Sequence, residues 1–228
     1  MILPQRLLSI AQNINNVENL VDIGTDHAYI PIYCVKTQRA KNAVASDVKE
    51  GPVKIASKNI KKYGLEDKIL PLISNGFENV EKNSFDMAVI AGMGGLLINE
   101  ILDKGKDKIS SDATLILQPM LAVNEVRKYL CENGFVITKE CLAKEEDKIY
   151  NILVCKKGNE VLSEFDIYVG KRLFLDKDEL FLKYMDNKIY TVTKIINGLK
   201  KSKNLSCEIE KREKELSYYI KARDEFNG

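Results

Sequence analysis

Two carboxylates flank a single glycine early in the chain, in the segment DIGTDHA that begins at Asp22. A dinucleotide-binding turn would carry a GxGxxG pattern here, because its glycines let the backbone approach a diphosphate. Only Gly24 is present, and the carboxylates of Asp22 and Asp26 would repel a diphosphate. They suit a cation, or the ammonium and hydroxyls of a ligand that carries an amino acid. S-adenosylmethionine is such a ligand, since it has a sulfonium, an α-ammonium and a ribose but no phosphate.

Further polar residues end the next two apolar segments. Asp47 stands 25 residues after Asp22 (47 − 22), where a carboxylate can accept both hydroxyls of a ribose. NAD and S-adenosylmethionine share that feature. Asn75 and Gly76 end the following segment, where the asparagine could read an adenine edge while the glycine admits the ring.

Small or polar residues also end the fourth and fifth apolar segments. They are Gly92, Met93, Gly94, Gln118, Pro119 and Met120. The glycine-rich turn at 91–95 has few side chains and lets a substrate approach closely. Each of these signals is weak alone, but one of them follows each of the five successive apolar segments, and together they favour a ligand site.

Several of these residues also have a purely structural interpretation. Asp22 and Asp47 could cap a turn or a helix. His27 stands where a ligand would lie, but a single histidine is as often a local hydrogen-bonding residue. Tyr29 could stack on a base or lie in the core, and the residues taken by themselves favour the core.

The apolar segments alternate with segments of helical period as far as residue 157. Buried parallel strands are expected at 19–24, 42–47, 68–74, 85–92 and 113–118. Helices are expected at 31–37, 51–63, 96–102 and 123–133. Two last strands, 135–140 and 149–155, have only the polar loop LAKEEDK between them and should pair antiparallel. The order predicts a doubly wound, Rossmann-like α/β sheet, whose carboxyl edge brings the turns together.

The rest of the chain has helical character. The capping-box patterns Ser163-x-x-Asp166 and Asp176-x-x-Glu179 predict helix starts. Apolar residues at spacings of three and four over 182–199, and again over 209–226, predict an antiparallel helical hairpin of coiled-coil type. We therefore expect two domains, at 1–158 and 159–228.

Composition narrows the class of protein. The 228 residues are 45% hydrophobic and 30% charged, as in an ordinary folded protein. Lys and Arg (35) nearly balance Asp and Glu (33), so binding of nucleic acid by bulk charge is excluded. Five cysteines without a CxxC pair and one histidine support neither a disulfide framework nor a zinc site. We therefore expect no metal. No apolar run predicts a signal peptide or a membrane span, so we expect a cytoplasmic protein.

The chain resembles the bacterial tRNA adenine N1-methyltransferase family, which modifies adenine 22 of tRNA. The resemblance spans essentially the whole chain and is carried by DIGTDHAYIPI (22–32), ASDVKEGPVKIASKNI (45–60), AGMGG (91–95), ILQP (116–119) and DKIYNIL (147–153). It implies a class I methyltransferase fold, a C-terminal helical coiled-coil domain, S-adenosylmethionine as cofactor and tRNA as partner. The cofactor contacts that it implies are Asp22, Gly24, Asp26, His27, Asp47, Val48, Asn75, Gly76 and Gly92.

Methylation at N1 makes adenine cationic, so a nearby carboxylate would stabilise the charge or take the N6 proton. We expect Asp26 in that role, with His27 as the second candidate. The base must leave its stack to enter the cleft. We expect the helical hairpin to bind the tRNA backbone, and we expect the enzyme to be a monomer. The substrate contacts that we expect are Tyr29, Met93, Gly94, Gln118, Pro119 and Met120.

Two positions depart from the family pattern, and other functions stay open on the sequence. Asn75 stands where an aspartate is usual, and Met120 stands where an asparagine is usual. A methyltransferase acting on a small molecule or protein fits the near-neutral charge. A tRNA-binding module that has lost catalysis fits Met120. An NAD-dependent oxidoreductase would share Asp47 but needs the missing GxGxxG.

Overall fold

The computed structural model describes residues 1–201 and 206–226, and the chain divides into two compact units, Met1–Glu160 and Val161–Gly228. Strands and helices alternate in the first unit. Its strands are β1 (Val17–Ile23), β2 (Ala40–Asp47), β3 (Ile69–Ile73), β4 (Met87–Gly94), β5 (Thr114–Leu121), β6 (Phe135–Glu145) and β7 (Lys148–Lys157). Its helices are α1 (Gln5–Gln12), α2 (Tyr29–Lys36), α3 (Glu50–Lys62), α4 (Gly95–Gly105) and α5 (Val123–Glu132).

The seven strands form one sheet in the order β3-β2-β1-β4-β5-β7-β6 among the described residues. β1 to β5 pair in parallel, and β7 is antiparallel to both β5 and β6. The chain builds outward from β1 through β2 to β3, and then returns to add β4 on the other side of β1. The strand order therefore reverses between β1 and β4, where such sheets bind their ligands. The predicted doubly wound α/β fold is confirmed.

Apolar patterning explains why the centre of this sheet is buried. Val21, Ile23, Val89 and Ile90 lie on the two strands that flank the switch point, and none exceeds 2% exposure. Strands covered by helices on both faces need such continuous apolar runs. The one charged residue in the buried half of β1 is Asp22, at its carboxyl end.

The strand pair that closes the sheet is longer than its sequence suggests. The segment LAKEEDK was expected as a loop, but β6 continues to Glu145 and β7 begins at Lys148. The turn is left with Glu146, whose φ of +54° is left-handed, and Asp147. Five consecutive charged residues at the exposed tip of this hairpin, 144–148, gave the segment its loop-like composition.

Helix α1 was not predicted. It begins after Pro4, whose fixed φ favours a helix start, and it buries Ile10 and Ala11. Eight residues make only about two helical turns, so its apolar pattern repeats too few times to stand out. This helix matters because it carries a side chain into the candidate site.

The second unit is helical. It contains α6 (Glu164–Val169), α7 (Lys171–Leu175), α8 (Phe181–Lys200) and α9 (Ser206–Glu225). The capping box of Ser163 with Asp166 is confirmed, with both reciprocal hydrogen bonds present. The second capping box is wrong, because Asp176 ends α7 and the next helix begins only at Phe181.

The predicted antiparallel hairpin is present as α8 packed on α9. Asp186 near the start of α8 pairs with Arg223 near the end of α9, at 3.8 Å. Lys200 at the end of α8 pairs with Glu213 at 2.7 Å. Of the connecting segment expected at 198–206, residues 202–205 lie outside the described part of the chain. None of the helices within 1–201 and 206–226 is long and apolar enough to cross a membrane.

Candidate functional site

An open cleft of about 420 Å³ lies at the carboxyl ends of β1 and β4, where the strand order reverses. A volume of this size is in the ordinary range for small-molecule sites. The predicted site residues that line it are Asp22, Gly24, Asp26, His27, Tyr29 and Gly92. The cleft thus joins the turn after the first strand to the turn after the fourth.

Asp22 is the buried acid of the cleft, with 6% of its surface exposed. Burial raises the pKa of its carboxyl from the ordinary value of 3.8 to about 6, and the charge of Asp47 adds to the rise. A hydrogen bond from Thr25 acts in the opposite direction and lowers this pKa. A buried carboxylate of this kind is stabilised by a cationic ligand.

The backbone after Asp22 is held against the neighbouring strand. The amides of Gly24 and Thr25 both donate to the carbonyl of Ser46 at the end of β2, each at 2.8 Å. Gly24 has a φ of +78°, which L side chains rarely adopt. A Cβ there would lie only 1.9 Å from the Cε of Met93, so the two turns touch at this point.

Asp26, His27 and Tyr29 form a chain of contacts along one wall of the cleft. The Asp26 carboxylate lies 3.1 Å from His27 Nε2, and the His27 ring stacks on Tyr29 with centroids 4.9 Å apart. The Asp26 side chain is 70% exposed, so it can meet an incoming group. The Asn59 side-chain amide donates to the His27 carbonyl at 3.0 Å and fixes the turn from α3.

The expectation that Tyr29 lies in the core is wrong. It is 38% exposed and lines the cleft. The left-handed backbone of Ala28, at φ 55°, turns the chain so that Tyr29 begins α2 on the cleft side. Ile30 and Ile32 take the core positions instead.

The turn after β4 contains a bulge. Ala91 pairs with Gln118 on β5 and Met93 pairs with Pro119, so Gly92 lies between these pairs without a partner residue of its own. The Gly92 amide donates instead to Gln118 Oε1, at 3.2 Å. Gly92 also has a φ of +78°, which the bulge requires and glycine permits.

Gln118 and Met120 form the floor beneath this bulge. Gln118 is fully buried, and its Nε2 donates to the Pro119 carbonyl at 3.0 Å and to Met120 Sδ at 3.6 Å. Met120 is itself exposed. Gly94 follows as the residue before α4, with open space where a side chain would be.

Arg6 is a residue of the site that the sequence did not predict. It lines the cleft from α1, and its Nη1 donates to Gln118 Oε1 at 2.6 Å. Nothing in a lone arginine within QRLL distinguishes it from a solvated helix residue. The amphipathic pattern of residues 5–12 was the signal that could have predicted α1 and, with it, a position for Arg6 on a helix.

Four predicted cofactor residues lie at the same edge of the sheet but outside this cleft. Asp47 ends β2 and accepts from the Lys49 amide at 2.8 Å, while the side chain of Val48 is exposed. Asn75 lines a separate pocket of about 410 Å³ beside α4, and Gly76 adjoins it with a φ of +58°. The cleft and this pocket lie at the ends of the adjacent strands β4, β1, β2 and β3.

A larger groove of about 640 Å³ lies elsewhere on the first unit. Its lining includes Asn19, Asn42 and Lys68, at the amino-terminal halves of β1 and β2 and just before β3. Ligands of open α/β sheets bind beyond the carboxyl ends of the strands, so we assign the site to the smaller cleft. No group of three or more His, Cys, Asp or Glu side chains within the described ranges is arranged to hold a metal ion.

Comparisons with known proteins show which family the chain belongs to. The family model for TrmK, tRNA (adenine(22)-N(1))-methyltransferase, matches residues 20–225. The Bacillus subtilis tRNA (adenine(22)-N(1))-methyltransferase is 35% identical over 187 residues, which are 79% of each chain.

Solved structures match over almost the whole length. The crystal structure of the B. subtilis TrmK tRNA methyltransferase superposes with a TM-score of 0.89 at 29% identity, covering 98% of this chain and 99% of that one. A Streptococcus pneumoniae relative, solved with S-adenosyl-L-methionine, gives a TM-score of 0.87 at 30% identity, covering 97% of this chain and all of the other. The chain therefore belongs to the TrmK family of tRNA (adenine(22)-N(1))-methyltransferases.

Proposed function

We propose that this protein transfers the methyl group of S-adenosylmethionine to N1 of adenine 22 in tRNA. Family membership supports the reaction, and the cleft between the turns after β1 and β4 is the observation that carries it. One turn supplies carboxylates for a cationic cofactor, and the other supplies a glycine bulge where a planar base can approach.

The donor set of the cleft fits this cofactor. Asp22 and Asp26 would face its ammonium, and the backbone at Gly24 leaves room for its sulfonium side. The strand order places Asp47 next, where it would accept the ribose hydroxyls, beside Val48. Asn75 and Gly76 follow at the end of β3, where they would hold the adenine.

S-adenosylmethionine supplies a methyl group bonded to a positively charged sulfur, and the C–S bond breaks as the N1–C bond forms. The residues of the cleft have to align the base for this in-line displacement and exclude water. Gly92 and Gly94 keep side chains out of the path, and the Met93 side chain packs against Gly24, where a Cβ would clash with it. Alignment therefore provides most of the catalysis.

Asp26 is our candidate for the charge that develops on the base. Its exposed carboxylate can stabilise the cationic methyladenine or accept the N6 proton. Its contact with His27 Nε2, together with the stacking of His27 on Tyr29, orients it. The exposed Tyr29 and Met120 complete the proposed surface for the base, and the buried Gln118 and Pro119 support it from within the sheet.

We propose α8 as the tRNA-contacting helix of the second unit. It carries four lysines and one acidic residue, whereas α9 carries five basic and six acidic residues. Exposed residues recur along one face of α8 at Lys183, Asn187, Tyr190 and Lys194. Lysines so placed can neutralise phosphates, and an exposed tyrosine can stack on a base.

This assignment gives the two parts of the chain different functions. Residues 1–158 would hold the cofactor and the flipped base, and residues 159–228 would grip the tRNA backbone. We also propose, as expected from the sequence, that the enzyme acts as a monomer in the cytoplasm.

The grip can be tested by charge reversal on α8. The K183E/K194E variant should bind tRNA roughly tenfold more weakly and with a smaller salt dependence, because two phosphate contacts are lost. The variant K58E/K62E makes the same charge change on the exposed face of α3 and is the matched control. A filter-binding series over salt concentration measures both variants, and equal affinities for the two would contradict the assignment of α8.

The reaction is tested with unmodified tRNA. The protein and S-adenosylmethionine should produce N1-methyladenosine, detected by mass spectrometry of the digested RNA. A transcript with guanine in place of adenine 22 should give no product. Equal product from both transcripts would contradict the assigned position, and methylation of a small molecule or protein alone would contradict the assigned substrate.

A further inference from the structure

The bulge at Gly92 leaves one backbone amide in the turn after β4 without a strand partner, so its hydrogen bond is made to a side chain. Ala91 and Met93 have partner residues on β5, but Gly92 between them has none. Its N–H donates to Gln118 Oε1 at 3.2 Å. The position of the turn therefore depends on how the Gln118 amide group is oriented.

A primary amide has two orientations of similar shape, with oxygen and nitrogen exchanged. Only the orientation with Oε1 toward Gly92 can accept the Gly92 N–H, since the opposite orientation would place an NH₂ group against another donor. Gln118 is fully buried, so water does not compensate for a wrong orientation. The Pro119 carbonyl, which accepts from Nε2 at 3.0 Å, favours the productive orientation from one side, and a cationic donor on the Oε1 side would reinforce it.

Arg6 supplies that donor. Its Nη1 donates to the same Oε1 at 2.6 Å, and a guanidinium has donors but no acceptor. It therefore tolerates only the oxygen of Gln118 on this side. With Oε1 held, Nε2 is directed to the Pro119 carbonyl and Met120 Sδ, which support and complete the proposed base-binding surface.

Arg6 is itself anchored from another element. Its backbone N–H donates to Glu145 Oε1 at 3.4 Å, and its Nε lies 3.7 Å from Glu145 Oε2 at the end of β6. Its guanidinium also lies over the Tyr150 ring, 5.5 Å from the centroid. These contacts fix the direction of a long side chain that would otherwise be mobile.

We propose that Arg6 is a positioning residue for methyl transfer, which acts by fixing the Gln118 amide that holds the bulged turn at Gly92. The proposal rests on the proposed function and adds a residue from α1 to it. Removing Arg6 leaves the amide held only by the Gly92 N–H and the Pro119 carbonyl, so the turn is held less firmly and the base loses alignment while the cofactor keeps its carboxylates.

A double-mutant cycle tests whether Arg6 acts through Gln118. Single-turnover methylation of tRNA is measured for the wild type, R6A, Q118A and R6A/Q118A, at saturating cofactor and tRNA. R6A should slow the reaction at least tenfold in the wild-type background and less than about twofold in the Q118A background, because coupled residues are non-additive. The affinity for S-adenosylmethionine, by calorimetry, should stay within about threefold of the wild type in R6A.

Conservative and matched variants complete the design. R6K keeps one donor for Oε1 and should recover part of the lost rate, and it replaces R6A in the cycle if R6A does not fold by thermal melting. Arg39 is the matched control. Its Nη1 donates to the Ile14 carbonyl and to Asn15 Oδ1, away from the cleft. R39A should leave the single-turnover rate within about twofold of the wild type.

Three outcomes would overturn the proposal. Additive losses in the cycle would show that Arg6 acts independently of Gln118. An affinity for S-adenosylmethionine that falls as much as the rate would make Arg6 a cofactor ligand instead. An unchanged rate in R6A would remove it from the reaction. A wild-type protein that methylates no tRNA would contradict the proposed function itself. The wild-type measurement in the cycle thus separates failure of the proposed function from failure of the role proposed for Arg6.

Discussion

The turns after β1 and β4 meet in one cleft, but one contributes mainly side chains to it and the other mainly backbone. The first turn presents side chains, with the carboxylates of Asp22 and Asp26 and the ring of His27. The second presents backbone, with a bulge at Gly92 whose amide is held by a buried glutamine. The comparison teaches that charge and shape are supplied separately. Substitutions in the first turn should remove a charge offered to the cofactor or the base, whereas substitutions in the second turn should disturb only how the base is aligned.

The largest effect is expected from D26A, which removes the carboxylate that we propose for the charge on the base. Turnover should fall about 100-fold or more, as for loss of a general base or a charge-stabilising group. The affinity for S-adenosylmethionine should stay within roughly tenfold, because Asp22, the other carboxylate that we propose for the ammonium, is retained. Single-turnover kinetics beside calorimetry separate the two, and equal losses would make Asp26 a cofactor ligand only.

The next effect is expected from D22N, which keeps the shape of the buried side chain and removes its charge. The affinity for S-adenosylmethionine should fall roughly 10- to 100-fold, since a charge-assisted hydrogen bond in a buried site is lost. The single-turnover rate at saturating cofactor should change much less. D86N is the matched control, because Asp86 is an aspartate of the same unit that accepts from the Asn19 amide away from the cleft. A variant D22N that binds cofactor normally would remove Asp22 from the site.

In the second turn, G92A should give the reverse pattern. The Cβ itself has space, since its nearest neighbour is Arg6 Nη1 at 3.8 Å, but the φ of +78° is strained for alanine. The bulge should relax, and the single-turnover rate should fall about tenfold with little change in cofactor affinity. G134A places an alanine at a φ of +77° in the turn after α5 and controls for stability. Equal rates for wild type and G92A would contradict the role of the bulge.

The smallest effect concerns pH. The pKa of Asp22 in the free protein is about 6, above its ordinary value of 3.8. A cationic ligand prefers the ionised carboxylate, so affinity is complete above pH 6 and is lost as the pH falls through that value. The dissociation constant of S-adenosylmethionine should rise roughly tenfold between pH 7 and pH 5.

Two variants decide whether Asp22 causes this pH dependence. In D22N the affinity should be lower and independent of pH over this range. In H27Q the rise should persist, since the buried carboxylate is retained. A pH dependence that disappears in H27Q and persists in D22N would assign it to the histidine.

The sequence predicted the elements with strong periodicity and the residues that follow them. The five parallel strands, their helices and the closing antiparallel pair were all expected, because apolar runs and helical spacing are local signals. Asp22, Gly24 and Gly92 were found from their positions at strand ends. The fold and the first wall of the cleft thus follow from the printed residues.

Other features of the site depend on tertiary contacts that a single sequence does not show. Tyr29 faces the cleft because the left-handed Ala28 before it redirects the chain, and alanine carries no signal for that conformation. Arg6 enters the site because α1 packs beside β6 and brings it to Gln118. Asp176 matches a capping box in sequence but ends a helix, since the first turn of α8 starts five residues later at Phe181.

Crystals grown with S-adenosylhomocysteine test the central claim most directly, because the claim is that one cleft joins the two turns around the cofactor. We predict density with its amino-acid end against Asp22 and Gly24 and its sulfur facing Gly92, with the ribose at Asp47 and the adenine toward Asn75. Density in the groove lined by Asn19, Asn42 and Lys68 instead would contradict the account.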